Sequence, residues 1–565
     1  MTNPLDELTS LLAELERAEL VARADGPERA YLFRHALTQE TAYNSLLRKR
    51  RRAVHRLVGQ AYEQLYAGRL EEHAALLAHH YAEAGDEAKI LEYSSLAGDA
   101  AERVYAASEA VEHYTRALQI ARGALEAGEK APPAEDALRL TTAEGVPLLS
   151  RLYLGRGRAL ELGGRWQEAL HNYEELAAFG DRRGEKALEL AALIARARIY
   201  ATPNPAHDAA SAASALGRAL TLARALHDVT AEARVLWISM LSDSFSGRPR
   251  LAIQAGEEAL VLSRSLGLRE QTAYILNGLF MAYWPVGEPG RARIVLDEAR
   301  LLWQDLGNLL MLAENHTRTS LLQFADGRYR QAIASSDEAF RIAQSISHIW
   351  GQANSRSMVG HSYLEQGEPE RAVAAMEEAL KLGEASGHPA VLAGTRADLG
   401  WLHASLGAGE RGLSLAREAA AYAAATYAPL HSWTLAQLGR VHLLLGDLPA
   451  AEAAVHESQA ILNPEGNFHA PIWVGLAGSE LALAQGRPEL AEALARELLA
   501  YLKRGGWRTY QPDALYLQAK AAAAQGLTGR ARELLHQARQ AAQELGSARS
   551  LVLVGTPLPG IESGG

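Results

Sequence analysis

Five consecutive cationic residues, Arg48, Lys49, Arg50, Arg51 and Arg52, with Arg56 one turn on, form the densest charge feature of the chain. Such a run on a helix can meet nucleic-acid phosphate or an acidic protein neighbour. Three histidines follow, His73, His79 and His80. Zinc on a helix needs ligands at i and i+4, or a His pair near cysteines. His79 and His80 diverge by about 100° on a helix, and the chain has no cysteine, so no metal ligand is assigned. No G-x-x-x-x-G-K-[ST] loop cradles phosphate and no G-x-S-x-G elbow presents a nucleophile. No catalytic residue and no cofactor is assigned, and the expectation is a protein without enzymatic activity.

A second set of residues has the chemistry of recognition. Thirteen, ten, six and three residues before a series of regularly placed glycines stand Arg234, Trp237, Tyr274, Asn277, Asn354 and His361. The same offsets give Trp401, Trp433, Arg440, Trp473 and Tyr516, along with Trp284, Glu314, Phe324, Glu480 and Lys520. These offsets share one face of a helix. Aromatic rings beside hydrogen-bonding groups on a concave face suit a partner protein, a peptide or a small effector. Against this, large aromatics at helical spacing also serve as packing between neighbouring elements.

The glycines that index these columns act as a ruler. Gly247, Gly287, Gly327, Gly367, Gly407, Gly446, Gly486 and Gly526 recur about every 40 residues, a period typical of helical repeats, with a single one-residue slip between Gly407 and Gly446. Five residues after each stands a small residue: Ala252, Ala292, Ala332, Ala372, Gly412, Ala451, Ala491 and Ala531. Seven residues before, the column is small from Ser320 and Gly360 through Gly400, Gly439, Ser479 and Ala519, but Met240 and Phe280 break it at the start. Small residues at these phases let two antiparallel helices approach closely. The glycine supplies the left-handed residue that ends the first helix. Pro249, Pro289, Pro369 and Pro488 lie two residues later, where a new helix opens. A second glycine closes the unit at Gly267, Gly307, Gly387, Gly506 and Gly546.

The unit resembles the tetratricopeptide repeat, most closely over 352–386, where Gly360, Tyr363, Gly367, Ala372 and Ala379 take the pattern positions. The expected fold is therefore all-α: a tetratricopeptide-like α-solenoid of about ten to twelve helix pairs. Regular units on this ruler are expected over 147–546, a linker with Pro132 and Pro133 over 123–146, and a frayed tail over 547–565.

The amino-terminal block reads differently. Leucines at 5, 8, 12 and 15 line one helix face, and LVARADGPERAYLFRH looks like two short strands about Asp25-Gly26. This matches the end of a winged helix over 1–45, followed by irregular helical pairs over 46–122. The stretch from Phe33 to Tyr66, and on from Glu71 to Ile120, resembles the segment between ATPase and repeats in bacterial STAND-type signalling ATPases, including those fused to class III adenylate or guanylate cyclases. The resemblance implies a sensor half that controls an ATPase or cyclase domain in cis or in trans. It also leaves open a transcriptional regulator that meets DNA through the winged-helix remnant and Arg48–Arg52.

Composition sets outer limits. With 57 Lys+Arg against 67 Asp+Glu, the net charge of −10 has the wrong sign for a nucleic-acid surface except locally. No apolar run approaches the length of a membrane span, and the absence of cysteine fits a reducing cytoplasm.

Overall fold

A helix ends where a residue can adopt positive φ, and this chain supplies such a residue at nearly every junction of its repeats. The computed structural model describes residues 4–24, 30–130, 142–202, 204–463 and 469–558. All eight ruler glycines have φ between +67° and +91°, and the five unit-closing glycines lie between +62° and +70°. At two positions where the closing glycine is missing the conformation persists, at His227 (φ 55°) and Ser347 (φ 53°), whereas Tyr427 ends α20 with φ −143°. Left-handed backbone on a non-glycine residue is uncommon, so the turn geometry is imposed by the repeat.

The chain divides into two compact units, residues 1–172 and 173–565. The boundary falls inside the stretch that the ruler assigns to regular repeats. In the first unit α1 (Pro4–Arg17) precedes an antiparallel pair, β1 (Val21–Arg23) and β2 (Tyr31–Phe33), in register Val21↔Phe33. The expected Asp25-Gly26 turn lies outside the described residues. Then come α2 (Ala36–Ser45), α3 (Arg48–Leu65), α4 (Ala74–Ala84), α5 (Glu87–Arg103), α6 (Ala107–Lys130) and α7 (Thr142–Leu162). The segment expected as a linker over 123–146 is thus helical at both ends, while Pro132 and Pro133 lie outside the described residues. Gly59 on α3 sits beneath the Tyr81 ring of α4, where an added Cβ would come within 2.8 Å of it. Tyr114 of α6 fills the space left by Gly98 and Gly155, and its single hydroxyl proton lies between the carboxylates of Asp99 (2.8 Å) and Glu102 (2.9 Å).

The second unit, which α8 (Trp166–Arg183) enters, is a tetratricopeptide-like solenoid of antiparallel pairs. The pairs are α9 (Lys186–Ala201) with α10 (Ala209–Ala225), α11 (Val229–Phe245) with α12 (Pro249–Ser265), and α13 (Arg269–Tyr283) with α14 (Pro289–Leu306). Next are α15 (Leu309–Ala325) with α16 (Tyr329–Ser345), α17 (Ile349–Glu365) with α18 (Pro369–Ser386), and α19 (Arg396–Ser405) with α20 (Gly409–Thr426). The last are α21 (His431–Leu444) with α22 (Leu448–Ala460), α23 (Ala470–Ala484) with α24 (Pro488–Arg504), and α25 (Gln511–Ala524) with α26 (Thr528–Leu545). A π-helical turn, Val391–Thr395, leads into α19.

The small columns lie at the helix crossings. All seven alanines of the column five residues after the ruler glycines are fully buried. Gly412 replaces the eighth because α19 and α20 cross most closely: an added Cβ would lie 2.5 Å from the Gly400 carbonyl oxygen and 2.7 Å from the Ala404 nitrogen. Met240, which breaks the other column, has its room made elsewhere, since Gly256 and Gly278 lack the Cβ that its thioether would strike.

The tail is a correction. Residues 547–558 are not frayed: Ser547 caps α27 (Ala548–Gly555), and Ser547, Ser550, Val554 and Leu558 are buried. Arg549 donates to Glu365 of α17 (2.5 Å) and doubly to Asp513 of α25 (2.8 Å each), and the Ser547 hydroxyl donates to Glu365 (2.5 Å). Burial raises the Glu365 carboxyl above its ordinary range, while the two carboxylates push the Arg549 guanidinium up despite its burial. Removing one member of such a buried set would leave an uncompensated charge, at a cost of about 3–5 kcal/mol.

The crossing geometry makes a direct prediction. Gly412→Ala drives a methyl into backbone and should lower the unfolding free energy by about 1–3 kcal/mol. Gly529→Ala, on α26 with open space around it, should be neutral or stabilising by up to ~1 kcal/mol. Urea unfolding followed by circular dichroism reads both.

Candidate functional site

The inner-column residues divide into three groups. In the early repeats they pack between helices. Trp237 is half-buried against Tyr274 (5.2 Å between ring centroids), and Tyr274 meets Trp303 edge to face at 4.8 Å. Asn277 is buried, and its Oδ1 accepts from Asn315 (3.1 Å). Arg318 donates to the Asn277 carbonyl and pairs with Glu314. Arg234 is exposed and Asn354 half-buried.

The second group lies where the solenoid meets itself. The Trp284 indole donates to the Gly505 carbonyl (2.7 Å), a contact between residues 221 positions apart and so about five and a half repeats along the solenoid. The Arg508 amide donates to the Ala325 carbonyl (2.8 Å), and the Thr509 hydroxyl to that of Phe324. An added Cβ on Gly287 would lie 3.0 Å from the Arg504 carbonyl oxygen, and one on Gly367 3.0 Å from Ala548 Cβ. Inside this closure the rings form one chain. Trp284 stacks on Trp507 (4.8 Å), Tyr510 meets Trp473 edge to face (5.3 Å), and Trp473 stacks on Trp433 (6.0 Å). Phe324 and His361 join them from the earlier repeats. Burial pushes the His469 imidazole down to about 3, so it stays neutral beside Trp433 and Trp507. Trp284, Phe324, Trp433 and Trp473 are therefore core, not the lining of an open groove.

The third group is polar and bridges successive repeats. Asp398 of α19 is buried and accepts three hydrogen bonds: from His361 Nε2 (3.0 Å), Trp433 Nε1 (2.9 Å) and Gln437 Nε2 (2.6 Å). Arg440 donates through Nε and Nη2 to Glu480, at 2.8 and 3.0 Å, and through Nη1 to Gln437 Oε1 (3.2 Å). Its guanidinium lies over the Trp401 ring at 4.6 Å and 5.9 Å from that of Trp473. Such bidentate, stacked arginines fix their partners in orientation. Arg440 is buried, and Trp401, His361 and Glu480 are half-buried. The Trp473 indole nitrogen is buried with no acceptor among the described residues, which costs about 1–3 kcal/mol if left so. Further along, Tyr516 is buried beneath the exposed Lys520 (5.8 Å).

Four of the predicted residues, His361, Trp401, Trp433 and Arg440, thus meet in one network with Trp473 at its edge. Asp398 and Gln437, which organise it, stand nine residues before their turn glycines, one step outside the offsets read from the sequence. Their signal was an acid and an amide at equivalent positions of adjacent, otherwise apolar helices.

In the first unit the basic run lies at the start of α3. Arg48, Lys49, Arg50 and Arg52 are exposed, while Arg51 is half-buried over the Tyr43 ring (5.1 Å) and donates to Asn44 (3.5 Å). The helix packs on α4 through His55, Gly59 and Tyr62, while Val54, Leu57 and Leu65 are exposed. His55 and His80 share a hydrogen bond (2.9 Å). Among the described residues no group of three or more His, Asp or Glu side chains is placed to hold a metal.

No protein-family model matches the chain, and no curated protein matches it. Solved structures similar to it include a Rap protein complexed with competence and sporulation factor, 12% identical over 66% of this chain and 99% of that one (TM-score 0.49). Another is a Rap conjugation gene regulator of the plasmid pLS20 with the Phr* peptide, 13% identical over 60% of this chain and 92% of that one (TM-score 0.42). A third is the APC/C hetero-tetramer Cut9–Hcn1, 15% identical over 92% of this chain and 99% of that one (TM-score 0.42).

Replacing Asp398 by Ala leaves the Trp433 and Gln437 donors buried and unfilled. The expected loss is about 2–4 kcal/mol of stability, with a change in tryptophan emission as Trp433 loses its partner. Asp398→Asn, which keeps one acceptor, should lose less than half as much.

Proposed function

We propose that this chain is a non-enzymatic interaction module that recognises a peptide or protein segment on the inner face of its repeats, at the network of His361, Asp398, Trp401, Gln437, Arg440 and Glu480. The observation that carries the reading is Arg440. Its guanidinium, itself buried, is held by two bonds to Glu480 and laid over the Trp401 ring, which is half-buried. Such a surface is fixed before any partner arrives, so little side-chain entropy is lost on binding. An extended segment laid across successive first helices would meet alternating ring faces and paired charges.

The finer role follows from the resemblance of the amino-terminal block: a sensor whose bound state is passed to an ATPase or cyclase domain, in cis or in trans. Because the turns of one superhelical stretch rest on those of another, a partner that reshapes the inner face would alter the closure as well. DNA binding through α3 has in its favour only that Arg48, Lys49 and Arg50 carry no ion pair among the described residues. The apolar stripe they adjoin is no phosphate surface.

A photo-crosslinking residue in place of the exposed Lys520, on the inner column, should yield a discrete adduct in cells. The same residue in place of Val261, exposed on α12, should not. The 520 adduct should fall at least ~tenfold when Arg440→Ala and Glu480→Ala are combined with it. Equal adducts at 261, or an adduct at 520 indifferent to that pair, would contradict the reading.

A further inference from the structure

Exposed apolar side chains are concentrated at one end of the chain. Among the described residues twelve of the thirty-three exposed large apolar side chains lie between Leu8 and Leu65, about a tenth of the sequence. Scattered exposed leucines need no explanation, but a concentration marks an interaction surface.

Two helices carry half of them, and they are complementary. On α3, Val54, Leu57 and Leu65 are exposed and share the face turned away from α4. At the rise of an α-helix they make a stripe about 17 Å long. Arg50 lies at the head of that stripe, with Lys49 beside it, and neither is ion-paired among the described residues. On α1, the exposed Leu8, Leu11 and Leu15 make a ridge of about 10 Å. Glu14 and Glu16 flank its carboxy-terminal end, one on each side at about 100° per residue.

We propose that two copies of this chain associate through their amino-terminal segments, the α1 ridge of each lying antiparallel on the α3 stripe of the other. Antiparallel placement puts Glu14 and Glu16 beside the partner copy's Lys49 and Arg50 while leucine meets leucine along the stripe. The contact is made twice under two-fold symmetry, as reciprocal interfaces of identical chains are. The charge pairs at the rim fix direction and register, and the buried leucines hold the copies together. The basic run then has a partner of opposite sign within the protein's own sequence, at a net charge that disfavours nucleic acid.

Sedimentation equilibrium of the full chain tests this. The expected species is a dimer of 61.0 kDa chains. Leu57→Glu with Leu65→Glu should raise the dissociation constant at least ~tenfold without loss of helix signal, since both side chains are exposed. Arg50→Glu should weaken association, and mixing it with a Glu14→Arg, Glu16→Arg chain should restore it. A monomer up to ~100 μM, a weak association by the scale of stable dimers, would overturn the proposal. So would a dimer indifferent to Leu57→Glu, or a monomer whose α3 face instead binds phosphatidylserine vesicles.

Discussion

The left-handed turn residue that recurs through the repeats governs everything above it. It ends most of the repeat helices at the same phase, so successive pairs take a similar step to their neighbours. With a constant step, small differences do not average out but accumulate in one direction, which is the origin of superhelical winding in repeat proteins. Turns that belong to the same phase of the repeat then arrive at the same height. The Gly287 turn comes to rest on backbone at Arg504, the Gly327 turn on the Leu545 side chain and, through Ala325, on backbone at 508–509, and the Gly367 turn on α27. The lack of a side chain at those glycines has a second use here: a Cβ would collide with the stretch of solenoid resting on it.

Closure changes what the inner face is. In an open solenoid the first-helix aromatics would line a groove. Here Trp284, Trp433, Trp473, Trp507 and Tyr510 pack on one another across the axis and form a single core. That core and the buried Glu365–Asp513–Arg549 set tie α17, α25 and α27 together. The polar network around Asp398 and Arg440 lies at the border of this core, where side chains are fixed by it yet reach solvent through Trp401 and Glu480. Rigidity and accessibility coincide there, which is what a recognition surface requires.

The fold was legible because it rests on a one-dimensional signal: glycine spacing and small-residue columns survive translation along the chain unchanged. His227 and Ser347 show that the geometry outlasts the residue that announces it. What a linear pattern cannot carry is contact between repeats five apart. The inner columns named His361, Trp401 and Arg440, which the fold brings into one network, but the same columns gave no sign that Trp284 would meet Trp507, because nothing local encodes the winding. The tail was misjudged for a similar reason. Its Pro, Gly and Ser content suggested fraying, whereas the partners of Ser547 and Arg549 lie on α17 and α25. On α3 the side that packs is built from His55, Gly59 and Tyr62, residues that no hydropathy pattern would select.

The central claim is that the repeats close on themselves after about five and a half units. Because the chain has no cysteine, cysteines replacing the exposed Arg328 and Arg508 would be the only sites for spin labels. The Arg508 amide lies 2.8 Å from the Ala325 carbonyl. With Arg328 only three residues further along that turn, electron–electron resonance should give a single narrow distance under about 20 Å. An open solenoid, advancing roughly 8–10 Å per packed helix layer, would separate the same labels by more than about 40 Å, and that result would contradict the account.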